Sequence, residues 1–164
     1  MNDLRERYKE FCYRTRGEIL DNLAFLELSM DLYIADHFTD SSAKLEEMIS
    51  LIITPRVTLD GKRAIMKRLV EDYDEPFRTK YPKFNGDLKD IIEKRNYFAH
   101  YPTIFIDEKI STFSQEKFIN LGKFKEGNVN GERVLYTVIT FTEPEIETYL
   151  KKIKKYRQAI MGTS

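Results

Sequence analysis

Apolar residues recur at helical spacing through roughly the first hundred positions and then alternate, and this change of period constrains the fold most. Over 3–38, Leu4, Tyr8 and Phe11 share a face. After Thr15, Arg16 and Gly17 the stripe resumes with Ile19, Leu23, Leu26, Met30 and Tyr33, and a second stripe of Phe25, Leu28 and Leu32 lies beside it. The spacing predicts one long helix or two consecutive ones, with Gly17 as a kink or boundary. So wide an apolar face implies packing on several sides, or against a second subunit.

Asp40, Ser41 or Ser42 can cap a second helix with Leu45, Met48, Ile49 and Ile52 on its buried side, ended by Thr54-Pro55-Arg56. A third runs through Ile65, Leu69 and Tyr73 and is closed by Pro76. Asn85 or Asp87 starts a fourth, packed by Leu88, Ile91, Ile92 and Phe98. Then the period changes. Residues 103–107 read as a short strand, and 116–124 and 133–141 as longer ones, with Val134, Tyr136 and Val138 alternating with Leu135, Thr137 and Ile139. "KEGNVNGE" between them has the chemistry of a hairpin turn. A last helix follows, with Thr142 as N-cap, Pro144 in the first turn, and Glu143 and Glu145 near its positive end. The expected fold is mainly α: a bundle of about five helices with a small antiparallel β-meander inserted before the last helix. The 164 residues suit a single domain, 1–164, with a β-rich insert at 103–141.

Composition narrows the function. Apolar residues make up 41% and charged residues 33%, the balance of a soluble globular chain. Lys plus Arg (27) equals Asp plus Glu (27), so a nucleic-acid partner must be held by a local basic patch. Cys12 is the single cysteine, which excludes an intrachain disulfide and a multi-cysteine zinc site. The first residues are charged and lack the apolar core of a signal peptide, and no apolar run is long enough to span a membrane. The expected location is the cytoplasm. No His, Cys and carboxylate cluster has ligand spacing, so neither metal nor cofactor is expected.

One stretch carries chemistry: "DIIEKRNYFAHYP", 90–102. Pro102 pushes Tyr101 out of helical geometry, so the fourth helix should end at His100. The negative end of the helix dipole favours a protonated ring there. Asn96 and His100 are one turn apart on one face. Arg95 and His100 are five apart, about 140° around a regular helix, so the two are not expected to stack unless the last turn loosens; otherwise they flank a substrate. An imidazole, a permanent guanidinium and an amide are the groups that RNA cleavage without metal needs. The histidine moves the proton in 2′-hydroxyl attack or 5′-oxygen departure, worth roughly 10²–10⁴-fold. The guanidinium clamps the phosphate. The amide fixes the imidazole or a ribose hydroxyl.

"RNYFAH" fits the pattern Arg-Asn-x-x-x-His and resembles the signature of the HEPN superfamily, helical-bundle proteins that include RNase toxins and defence effectors. The resemblance implies a metal-independent endoribonuclease acting as a homodimer, whose two motifs face a shared cleft. It implies products with a 2′,3′-cyclic phosphate and a 5′-hydroxyl. It assigns catalytic roles to Arg95, Asn96 and His100. The implied setting is a toxin–antitoxin or phage-defence system, with an antitoxin or a nucleotidyltransferase as possible partner. One toxin branch carries a modified tyrosine two residues after the histidine; Pro102 stands there in this chain. The alternative is a non-catalytic HEPN module that binds RNA, a nucleotide or a partner protein.

Other residues fill out the picture. Tyr101 can stack on a base of bound RNA. His37 reads as a surface or capping residue, and Cys12 as an inert packed thiol. Asp21, Glu27 and Asp31 read as a solvated edge from which one carboxylate can orient Arg95 or His100. The basic stretches 61–69 and 151–157 read as solvated faces, or else as phosphate-tracking surface.

Overall fold

The first 37 residues of the fold form one uninterrupted helix, α1 (Asn2–Phe38), so Gly17 is not a helix boundary. The structure is a computed structural model that describes the backbone at 2–129 and 132–162 and the side chains at 3–123 and 137–162. It continues with α2 (Ser42–Met48), a π-helical turn (Ile49–Ile53), α3 (Thr54–Arg56), α4 (Leu59–Tyr73), α5 (Glu75–Lys80), α6 (Phe84–His100) and α7 (Asp107–Ile110). Strands β1 (Phe118–Val129) and β2 (Glu132–Thr142) precede the last helix, α8 (Glu143–Met161). The chain is thus mainly helical, with a two-stranded antiparallel sheet directly before its final helix. Among the described residues no helix is long and apolar enough to cross a membrane.

Contacts cluster in two units. The first joins Met1–Asp21 to Lys94–Leu150. Its core is aromatic: Tyr8 packs edge-on against Phe105 and Phe113 and at a tilt against Phe118, and Phe98 stacks on Tyr149. β1 and β2 pair from Phe118 with Thr142 to Val129 with Glu132, with one irregularity between Phe124 and Gly127. The predicted turn has its central residues, Asn130 and Gly131, outside the described residues, as are the alternating side chains of Val134, Leu135 and Tyr136.

The strand expected at 103–107 is reduced to a single bridge, Thr103 with Leu121. Two backbone bonds flank it, Gly122 N to Pro102 O and Ile104 N to Asn120 O. Gly122 permits this approach, because a Cβ there would lie 2.5 Å from Cδ1 of Ile104. The chain then leaves the sheet, and Asp107 and Glu108 open α7, where carboxylates favour the positive end of a helix. At the far end of the sheet Glu145 accepts from the Thr142 amide (2.8 Å) and hydroxyl (2.8 Å), the reach-back half of a capping box.

The second unit joins Asn22–Glu93 to Lys151–Ser164. Leu23, Leu26 and Met30 are buried, but Phe25, Leu28 and Leu32 of the second α1 stripe are exposed. Thr58 caps α4 by accepting from Gly61 N. α4 ends at Tyr73, ahead of Pro76 as expected, and the proline sits in the first turn of α5, where Asp74 accepts from Phe77 N and from the Tyr33 hydroxyl. Ile52, expected inside, is exposed, and Ile53 is buried instead. The π-turn explains the change, because its wider i→i+5 spacing slides the inward position along by one residue.

Inside this unit Lys62 is fully buried, its ammonium 2.7 Å from Glu27 and 2.7 Å from Asp31, which also accepts from Thr54. Asp31 is therefore not part of a solvated edge, and Lys62 is not part of a basic surface. A buried ammonium needs carboxylate partners, and α1 supplies two of them. On α8, Tyr156 donates to Asp87, and Lys152 bridges Asp87 (3.2 Å) and Asp90 (3.0 Å). The hydrogen bonds from Tyr156 and Lys152 outweigh burial and hold the Asp87 carboxyl below its usual range.

Candidate active site

Arg95, Asn96 and His100 all lie in the first unit, at the end of α6. α6 exists because Leu88, Ile91, Ile92 and Phe98 form one buried face. It stops at His100, where the sequence places its end. The amide of Tyr101 still bonds back to Tyr97 O (3.0 Å), and Pro102 then removes the next donor.

A helix end leaves carbonyls without partners. Here Arg16 of α1 supplies one: its Nη2 donates to Phe98 O at 2.6 Å, and its Nη1 reaches Thr103 Oγ1 at 3.3 Å. One guanidinium thus ties together the last turn of α6 and the segment beyond Pro102. Tyr8, two turns earlier on α1, supports the same corner. Its hydroxyl accepts from Asn120 N (3.1 Å) and lies 3.5 Å from Ile104 O. Burial pushes the Tyr8 phenol well above its ordinary value, against the Asn120 backbone bond, so it remains a neutral hydrogen-bonding group. Arg16 was not legible as part of the site. It stands on another helix, far away in sequence, and only the fold brings it to the α6 terminus.

The three predicted residues occupy the last two turns of α6. Arg95 is half-buried; Asn96 and His100 are exposed. Nη1 of Arg95 lies 3.4 Å from Nε2 of His100 and 3.4 Å from Oδ1 of Asn96. Arg95 and His100 therefore meet along one helix, against the expectation drawn from their 140° separation. The long arginine side chain closes an angle that backbone geometry alone leaves open. Both distances exceed the usual hydrogen-bond range, so these are weak contacts, readily exchanged for a stronger acceptor. Arginine has donors only, so this contact is a hydrogen bond only in the tautomer that leaves Nε2 free to accept.

Three carboxylates that could otherwise pair with Arg95, namely Glu93, Glu27 and Asp31, are engaged elsewhere. Lys89 pairs with Glu93 at 3.8 Å, and Lys62 holds Glu27 and Asp31. Arg95 has no carboxylate partner among the described residues. A half-exposed guanidinium beside an imidazole, with no carboxylate partner among the described residues, is chemically suited to meet an anion with an acid–base group at hand.

Tyr101 is half-buried and its ring lies 5.4 Å from that of Tyr97. His37 is exposed in the second unit, its ring against Phe38 and Tyr73. Cys12 is buried, and burial pushes its thiol up to about 11, so it is no nucleophile at neutral pH. Among the described residues no three His, Cys, Asp or Glu side chains group as metal ligands. No family model, curated protein or solved structure matches this chain.

Proposed function

We propose that this chain is a HEPN-type endoribonuclease that cleaves RNA without a metal ion. The observation that carries the reading is the Arg95–His100 contact at the end of α6, with no carboxylate on Arg95 among the described residues. In the proposed reaction neutral His100 takes the proton from a ribose 2′-hydroxyl as that oxygen attacks the adjoining phosphorus. Arg95 turns from the imidazole to the phosphate, a stronger acceptor, and stabilises its added charge. The P–O5′ bond breaks, water supplies the proton with which the 5′-oxygen leaves while His100 passes its own to solvent, and a 2′,3′-cyclic phosphate remains. Asn96, within reach of the guanidinium, orients it during that exchange.

The proposed enzyme is a homodimer that presents two such sites to one RNA. The exposed stripe of Phe25, Leu28 and Leu32 supports this, because three apolar side chains at helical spacing suit a helix that packs on a second copy. The proposed setting is a cytoplasmic toxin–antitoxin or phage-defence system, with an antitoxin or nucleotidyltransferase as partner.

The test is cleavage of several RNAs by purified protein in excess chelator, beside Arg95→Ala and His100→Ala variants that keep the wild-type circular dichroism. The expected result is cleavage by wild type alone, at least about 10²-fold above either variant, leaving cyclic-phosphate ends. Equal cleavage by all three would refute the assignment. Binding without cleavage would favour the non-catalytic module, in which Arg95 and His100 form a polar contact between protomers.

A further inference from the structure

Five aromatic rings of the first unit form a continuous run from its core to its surface. Tyr149 stacks on Phe98 with centroids 5.9 Å apart. Phe98 meets Phe141 at 4.8 Å, Phe141 meets Tyr97 at 6.2 Å, and Tyr97 meets Tyr101 at 5.4 Å with the planes 34° apart. Exposure rises along the run. Phe98 and Tyr149 are buried, whereas Phe141, Tyr97 and Tyr101 are half-exposed. Tyr101 is the outer end: its only ring neighbour among the described residues is Tyr97.

This run ends beside the proposed site. Tyr101 follows His100 directly in sequence, and Tyr97 is one helical turn behind it, in the column next to Asn96 and His100. The rings are also held in place. Phe98 and Tyr149 anchor the inner end in the core, the Tyr101 amide is bonded to Tyr97 O, and Arg16 bonds the intervening Phe98 carbonyl. An aromatic run that is fixed at one end and open at the other offers a planar ligand a preorganised stacking face. Next to a guanidinium and an imidazole, the ligand that suits it has a planar base attached to a phosphodiester.

We infer that Tyr101, backed by Tyr97, is a base-stacking subsite that holds an unpaired nucleobase next to the phosphate facing Arg95 and His100. The inference rests on the proposed reading of this site as RNA-binding. It adds the form of substrate: the nucleotide beside the scissile bond is single-stranded, because a base within a duplex cannot leave its neighbours to stack on protein. Stacking is tolerant of sequence, so the subsite demands a base without choosing strongly which one.

The test uses a short single-stranded oligoribonucleotide with one cleavable linkage, the other sugars being 2′-deoxy. Two further versions carry an abasic residue on one or the other side of that linkage. Affinity is measured by fluorescence anisotropy in a His100→Ala background, with and without Tyr101→Leu, and cleavage with His100 intact. One abasic position is expected to weaken binding about tenfold, and Tyr101→Leu to weaken the intact oligonucleotide by about as much. The two losses should not add, since each removes the same stack. Tyr101→Phe, which keeps the ring, should keep the sensitivity to the abasic position. Additive losses, or wild-type affinity in Tyr101→Leu, would overturn the subsite while leaving cleavage to be judged by the Arg95 and His100 variants. Non-additive binding without cleavage by wild type would uphold the subsite and refute the enzyme. The abasic comparison on protein with Tyr101 intact decides the point even if a Tyr101 variant fails to fold: equal affinity for all three oligonucleotides refutes the subsite.

Discussion

Replacing Arg16 by alanine should loosen the corner that carries the site, and the size of the effect follows from its contacts. The Nη2–Phe98 O bond, at 2.6 Å, is short and charge-assisted, and its acceptor belongs to a fully buried residue. Hydrogen bonds to charged groups contribute about 1.5–3 kcal/mol. The Thr103 bond, at 3.3 Å, is long and adds little. Alanine is the better helix former by only a few tenths of a kcal/mol, which offsets a small part of the loss at this mid-helix position. The expected cost is about 2 kcal/mol, or about 4–8 °C in Tm for a chain of this size. Urea unfolding followed by circular dichroism measures it. Hydrogen exchange localises it: the Tyr101 amide, bonded to Tyr97 O, should lose protection as the last turn frays. Arg16→Lys keeps the charge but not the fork, and should recover about half the loss. A change under about 0.5 kcal/mol with unaltered Tyr101 protection would show that α6 ends where it does without Arg16, and would remove the corner argument.

Two further predictions concern the second unit. Lys62→Met leaves Asp31 as a buried carboxylate without its ammonium and should cost about 3–5 kcal/mol in urea unfolding; adding Asp31→Leu should recover most of it, and a single variant as stable as wild type would contradict the buried pair. Asp87 is held below its usual range by Tyr156 and Lys152, so its contribution is present above the ordinary carboxylate pKa and is lost as pH falls through the lower folded value. Urea midpoints between pH 7 and pH 3 should therefore fall more for wild type than for Asp87→Asn, and parallel curves would refute the assignment.

The helices that bury one regular face were legible, and those that do not were misread. In α6 the pattern of Leu88, Ile91, Ile92 and Phe98 and the stop before Pro102 were both open to reading, because a single face and a single proline decide them. In 42–56 a regular 3.6-residue period would bury Ile52, but the chain forms a π-turn there that leaves it exposed. At 103–107 an apolar alternation was present, but a strand needs a partner along its length, and the chain finds one only opposite Leu121 and Gly122. Charges were the least legible. Lys62 lies in a basic run with no local sign that it points inward, and its partners Glu27 and Asp31 are more than thirty residues away.

The candidate site divides along the same line. Arg95, Asn96, His100 and Tyr101 lie within seven consecutive positions, so spacing on one helix brought them to notice. What holds them was hidden, because Arg16, Tyr8, Phe141 and Tyr149 come from α1, β2 and α8. A short motif can name groups capable of chemistry, but it cannot say whether they are held still. In this fold the support is a guanidinium on a helix terminus and a run of rings anchored in the core. If those supports matter to the chemistry, Arg16→Ala and Tyr149→Leu should each depress any cleavage more than their loss of stability accounts for, although neither side chain touches the substrate.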